Sequence, residues 1–583
     1  MTSHHSQPPH KQAEMTTQIF YVSPHGDDSG AGTREQPFAS LGRAREAVRA
    51  AVAGGAGRVE VALAPGEYRL RAPLRMDARD GAPEGGAIVW RGAGAGRTIV
   101  SGAVDLPPFA EAEPGLWRAP AGGMVFRQLY VNGRRAALAR WPKAGQFFRI
   151  SAWLPDTKEI IVNASDVPNA TDSALELVVY MAWAEAILKL KSAARTAPEK
   201  LAWCTPMRLT FHEPEHSLVF QRSFPIRKPE LPYFWQNSRA FLTEPGEWFL
   251  DQPSDTLYYR PLPGEELAAS RAVAPALETL VEIRGTVDNP VRNVRFEGIT
   301  FEGTTWLKPS VSGLLNLQAG MYTQEKTQDN IQYHGRPPAA VYAAYADGLA
   351  VAHCTFRHTG ATALDVHRGV SRAAVTRCTF HTLAGAGINL GVFSEPDMAA
   401  HVPYNPADER EVTRDITIAD TVIHHTGLDY PGTCAIAAGY VRDTLIEHND
   451  IHDVPYTGIS VGWGWTLKPN AMRNNCVRRN HIYRAVTTMR DGAGIYTLSS
   501  MPGSSIVENY VHDISTNPDG IGARNYGIYL DEGSDGITLE NNLIQRIEHG
   551  NHHKINPSGT IVLKHEGAFD NPAVRGQAGV RRA

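Results

Sequence analysis

Two aspartates have the residue types and setting to do chemistry: Asp491 in MRDGAGIYT and Asp531 in GIYLDEGSDG. A pair of carboxyl groups flanking one bond is the usual apparatus of glycoside hydrolysis. One is protonated and assists the leaving oxygen; the other is ionised and attacks carbon or activates water. Each aspartate alone has a plainer reading. Asp-Gly is a common turn pair, which covers Asp491. Asp531 is followed by Glu532, Gly533 and Asp535, so a turn or a structural calcium loop competes there. The pair gains weight from Tyr496 and Tyr529, which flank it.

The two acids can meet only if the intervening chain stacks them, and the stretch from 291 to about 565 shows how. VAHCTF, VTRCTF, IADTVI, IEHNDI, VRRNHI, VENYV and LENNL align on Cys354, Cys378, Thr421, Asn449, Asn480, Asn509 and Asn541, recurring at roughly 24 to 43 residues. One apolar strand per repeat with an amide at the turn is what a parallel β-helix requires, and inward asparagines can pair along the stack. A second column, Leu364, Ile388, Ile436, Ile459, Ile495 and Ile528, marks inward positions. Strand alternation then turns Asp365, His367, Asn389, Ser460, Tyr496, Tyr529 and Asp531 outward, onto an exposed face suited to a saccharide. Neighbouring coils lie about 4.8 Å apart, so Asp491 and Asp531 fall within reach of one bond.

Upstream, Ile19 to Ser23 reads as a strand, and Leu41, Ala44, Ala47 and Val48 share one face of a capping helix. Short strands with Gly-rich turns follow to about 104. From 105 to 290 the rhythm becomes Trp- and Tyr-rich, as in an inserted antiparallel β domain. The expected order is therefore a tail at 1–18, cap and first coils at 19–104, the insertion at 105–290, the main helix at 291–565 and a tail at 566–583.

Composition removes several function classes. Lys plus Arg total 57 against 61 Asp plus Glu, without long blocks of one sign, which argues against nucleic acid or an anionic membrane as partner. The opening 18 residues are polar and His-rich, no apolar run approaches a membrane span, and no secretory signal is visible. A soluble protein is expected, cytoplasmic as written or exported if a signal was trimmed. Oligomeric state is not legible. Cys204, Cys354, Cys378, Cys434 and Cys476 form no Cys-x-x-Cys pair and read as buried thiols. His4, His5 and His10 read as tail, and Pro214 in HEPEH breaks the zincin frame of His212, Glu213, Glu215 and His216. No metal or other cofactor is expected apart from the calcium alternative at Asp531. Trp463 and Trp465 in TGISVGWGW are either a sugar platform or a packed corner.

With these residues in view, the chain resembles glycoside hydrolase family 141 and its β-helix relatives. YVSPHGDDSGAGTREQPFASLGRAREAVR is similar to that family's opening strand and helix, and QLYVNGRRAALARWP and PGEWFLDQPSDTLYYRP are similar to its inserted domain. DGAGIYTLS and YGIYLDEGS resemble the motifs of its two catalytic aspartates, here Asp491 and Asp531, with Glu532 as the reserve candidate one position on. The resemblance implies a glycosidase of α-L-fucosidase or xylanase type acting on a plant or microbial oligosaccharide. A lyase or epimerase on the same scaffold would instead want Lys or Arg in the groove, where only Arg490 and Arg524 come near. A non-catalytic saccharide-binding solenoid is the third reading.

Overall fold

The computed structural model describes residues 17–168, 174–195, 205–328, 331–394, 401–556, 559–564 and 571–581. The His-rich start and Cys204 lie outside them. The fold is a parallel β-helix whose coils build three long sheets. One runs from Thr17–Val22 to Ile561–Lys564, one from Gly66–Arg69 to Leu543–Ile547, and one from Leu74–Met76 to His553–Ile555.

Each coil turns its first corner on one residue with positive φ: His353, Arg377, Asp420, His448, Arg479, Glu508 and Asn541, at 50–55°. The next residue points inward and is buried. Asn449 donates to Asn480, Asn480 to Asn509 and Asn509 to Asn542, each at 2.9 Å. The last rung is therefore Asn542, one residue beyond the Asn541 expected, because Asn541 occupies the bend. Side-chain amides stacked this way satisfy backbone and one another where water does not reach. The inward apolar column stands as read: Leu364, Ile388, Ile436, Ile459, Ile495 and Ile528 are successive register partners, all at 0% exposure.

Helix α1 (Leu41–Ala53) caps the stack and buries Leu41, Ala44, Ala47 and Val48, with the Ser40 side chain accepting from the Arg43 N–H. At the other terminus α2 (Pro572–Gln577) buries Val574 on Tyr510 and Leu543, and Arg581 grips Asp420 through both oxygens at 2.8 and 2.6 Å.

The chain leaves the helix after Thr98–Ser101 and rejoins it at Val281–Arg284, which pairs with Leu74–Met76. Between them lie antiparallel sheets with their own apolar cores. The hairpin of β1 (Glu176–Met181) and β2 (Ala184–Arg195) matters most, because Trp183 at its turn shares a cavity with Tyr496 and Tyr529 of the third sheet. Its strand β2 pairs with Leu314–Leu315. The outward face of the third sheet is covered, which corrects the expectation of an exposed sugar face. Asp365, Asn389, Ser460, Tyr496 and Tyr529 do point out of the coil, but all are buried. Alternation decides which face a side chain joins; it says nothing of what roofs that face.

Among the described residues, no helix is long and apolar enough to cross a membrane. Cys354, Cys378 and Cys434 are buried free thiols, and Cys476 is partly buried.

Candidate active site

Three adjacent strands of the third sheet carry the site: β3 (Ala493–Thr497), β4 (Tyr526–Leu530) and β5 (His553–Ile555). Their register places Ser460, Tyr496, Tyr529 and Lys554 in one outward column. Parallel pairing puts Tyr529 directly over Tyr496, with ring centroids 4.9 Å apart and edge to face.

Asp531 lies one residue beyond β4, where its N–H donates to the Thr497 carbonyl at 3.0 Å. Its carboxylate accepts one hydrogen bond from the Tyr496 hydroxyl and another from the Asn556 side-chain amide. Both donors are neutral, so the carboxylate is oriented without being neutralised. Burial first, and then the charge of Asp531, push the Tyr496 phenol well above its usual range, so it stays a hydroxyl donor.

Asp491 sits two residues before β3 with φ at 59°, a left-handed conformation that aspartate tolerates better than most residues. Its N–H donates to the Ala523 carbonyl, and its own carbonyl accepts from the Tyr456 hydroxyl, each at 3.2 Å. The Asp-Gly turn is real, yet the side chain enters the same cavity as Asp531. Among the described residues Oδ1 has no hydrogen-bond donor; the Lys554 ammonium is 3.7 Å away, an ion pair too long for a hydrogen bond. Burial raises the Asp491 pKa, Lys554 opposes the rise, and the charge of Asp531 adds to it.

Lys554 also donates to the Tyr529 hydroxyl at 2.6 Å, and Asn556 donates to the same oxygen at 2.9 Å. The two aspartates are thus joined by a short polar network through Lys554, Tyr529 and Asn556. The cavity is about 340 Å³, with Trp465 and Glu532 also in its wall. His334 is buried there as a neutral ring, its pKa pushed down to about 3 by desolvation.

The structure separates the other residues singled out from sequence. Trp463 is buried behind the wall, packed on His334, Phe393 and Trp465, so it occupies a packed corner. Asp365 and His367 line a different cavity several coils away. There Arg336 binds both oxygens of Asp365, and the Tyr342 hydroxyl lies 2.8 Å from His367 Nδ1. Asn389 is buried beneath the cover, donates to Thr362 Oγ1 at 3.3 Å, and does not line the aspartates' cavity. The carboxylate of Asp535 turns away from Asp531, toward Ser500 Oγ at 3.0 Å and the Thr560 N–H at 2.6 Å. Among the described residues no three His, Cys, Asp or Glu side chains gather to hold a metal.

Sequence reasoning missed Lys554, Asn556, Trp183, Phe224 and Ile226, all of which line the cavity. A signal existed for the first two. Extending the inward column past Ile528 by one coil puts His553 in register and Lys554 outward. The other three come from the insertion, and nothing in their own segments points to this coil.

Residues 118–262 match the GH141 insertion domain, and residues 409–579 match the right-handed β-helix region. A solved glycoside hydrolase is 32% identical, with 97% of this chain and 99% of that one covered and a TM-score of 0.91. XylC in complex with xylose is 11% identical over 94% and 70% of the two chains with a TM-score of 0.49, too distant to carry an argument. No curated protein sequence matches the chain. With a relative at that identity across nearly the whole of both chains and the GH141 insertion domain in place, the protein belongs to the glycoside hydrolases of the right-handed parallel β-helix type.

Proposed function

We propose that the protein hydrolyses a glycosidic bond to a neutral sugar of a plant or microbial oligosaccharide, with Asp491 as general acid and Asp531 as its ionised partner. The observation that supports this division is the unequal surroundings of two carboxyls in one cavity. Asp531 receives two hydrogen bonds from neutral donors, which fix its orientation in the cavity. Asp491 is desolvated beside a like charge, and its Oδ1 has no hydrogen-bond donor among the described residues, which favours holding a proton. In the forward step Asp491 gives that proton to the departing glycosidic oxygen. Asp531 attacks the anomeric carbon or takes a proton from the attacking water. Lys554, 3.7 Å away, faces the negative charge that Asp491 acquires as it donates.

Lys554 is the cation that β-elimination from a uronate would want. It is already engaged by Tyr529 and Asp491, and Asp491, Asp531 and Glu532 in the same wall would repel a substrate carboxylate. Hydrolysis is therefore the reading that the cavity supports best. A screen of aryl glycosides and defined oligosaccharides tests it, beginning with fucosides and xylosides, the activities implied by the family resemblance. On the oligosaccharides, release of reducing sugar without the ultraviolet absorbance of an unsaturated sugar is expected. An unsaturated, absorbing product would reject hydrolysis.

A further inference from the structure

The cavity has chemically different walls. One is the polar coil surface that carries Asp491, Asp531 and the buried Tyr496 and Tyr529. Another is contributed by the insertion: Trp183, Phe224 and Ile226. Trp183 occupies the turn between β1 and β2, and its ring stacks on Phe224 with centroids 6.4 Å apart and planes 27° from parallel. Tyr496 and Tyr529 are 3% and 2% exposed, whereas Phe224 and Ile226 are 41% and 51% exposed. The apolar insertion residues therefore stand at the mouth, and the tyrosines at the floor.

This wall is not loosely placed. The Ala182 carbonyl beside Trp183 accepts the Arg490 N–H at 2.9 Å, next to Asp491 itself. Arg149, also in the insertion, pairs with Asp519 at 2.9 Å on the loop that follows.

We propose that Trp183, Phe224 and Ile226 form the leaving-group subsite, selecting a neutral sugar or aryl group that presents an apolar face. The inference rests on the hydrolytic reading above and deepens it. In a cavity with acids at the floor and one apolar lip, the sugar whose bond is cut enters first, and what departs lies across the mouth. Flat rings and a branched aliphatic side chain favour C–H-rich or aromatic surfaces, and none of the three supplies a charge for a carboxylate or sulfate.

Glycosyl fluorides separate this subsite from the chemistry, because fluoride leaves without occupying the mouth. With the glycone found in the screen, Phe224→Ala and Ile226→Ala should lower kcat/KM on the aryl glycoside about tenfold, mainly through KM, as expected for lost binding. On the matching glycosyl fluoride both variants should stay within about twofold of the parent, which also shows that they fold. Phe224→Trp should restore the aryl glycoside rate. Equal losses on both substrates, or no loss on either, would overturn the subsite. A parent that cleaves neither substrate overturns the hydrolytic reading beneath it; a parent that cleaves only the fluoride overturns the subsite alone.

Discussion

The third sheet carries acids at two places, Asp365 on its outward column and Asp491 and Asp531 just past the ends of its strands, and they differ in how their partners hold them. At the amino-terminal coils Asp365 is at 0% exposure, and both its oxygens are bound by the Arg336 guanidinium. At the carboxy-terminal coils Asp531 is held by a hydroxyl and an amide, and Asp491 Oδ1 has no hydrogen-bond donor among the described residues, the Lys554 ammonium standing off at 3.7 Å. A bidentate cation consumes a carboxylate's charge and its lone pairs, leaving a structural clamp. Neutral donors orient a carboxylate and leave its charge for a substrate. Position on the coil makes an acid eligible for chemistry; its partner decides whether it is available.

The comparison is broken or sharpened most severely by removing the acids. Asp531→Asn should cut turnover at least about a thousandfold on every substrate, whatever its leaving group. Asp491→Asn should lose as much on a natural oligosaccharide, yet recover most of its rate on a dinitrophenyl glycoside, whose leaving group needs no proton. Equal losses for both variants on both substrates would erase the proposed division of roles.

A smaller effect is expected at Lys554. A nearby cation favours the ionised form of a carboxyl, so Lys554→Met should raise the Asp491 pKa further. Activity is lost as pH rises through the pKa of the acid, so the alkaline limb of the pH–rate profile should move upward. The charged groups facing Asp491 are Lys554, Asp531 and Arg490, and Tyr456, Tyr526 and Tyr529 lie close by. Lys554→Arg should return the limb toward its parental position. An unmoved limb in both variants would show that Lys554 serves packing alone.

The smallest effect on rate, and the sharpest contrast, is expected at Asp365. Asp365→Asn should leave kcat within about twofold of the parent. It should also lower unfolding stability by roughly 3 kcal/mol in denaturant titration, because it removes the carboxylate that binds the largely buried Arg336 through both oxygens. A thousandfold rate loss there would put Asp365 in the chemistry and collapse the distinction.

What the sequence made legible follows from periodicity. Ile388 to Ile528 could be read because inward positions of a stacked coil repeat with an apolar signature. Lys554 escaped because its strand, HKI, retains only one apolar residue, so the series seemed to end one coil early. The ladder slipped from Asn542 to Asn541 because two asparagines stand together, and only the backbone shows which one bends. The wall that faces Tyr496 comes from the insertion, distant in the chain, and no local pattern announces such a contact.

The hydrogen bond between Ala182 and Arg490 changes how the molecule must come into being. Solenoid rungs ordinarily touch only their neighbours and can form in the order in which they leave the ribosome. Here a hairpin translated early waits for a rung translated more than three hundred residues later. The last coils and the insertion therefore complete each other only once the chain is nearly finished, and unfolding that loosens one should expose the other to protease at the same time.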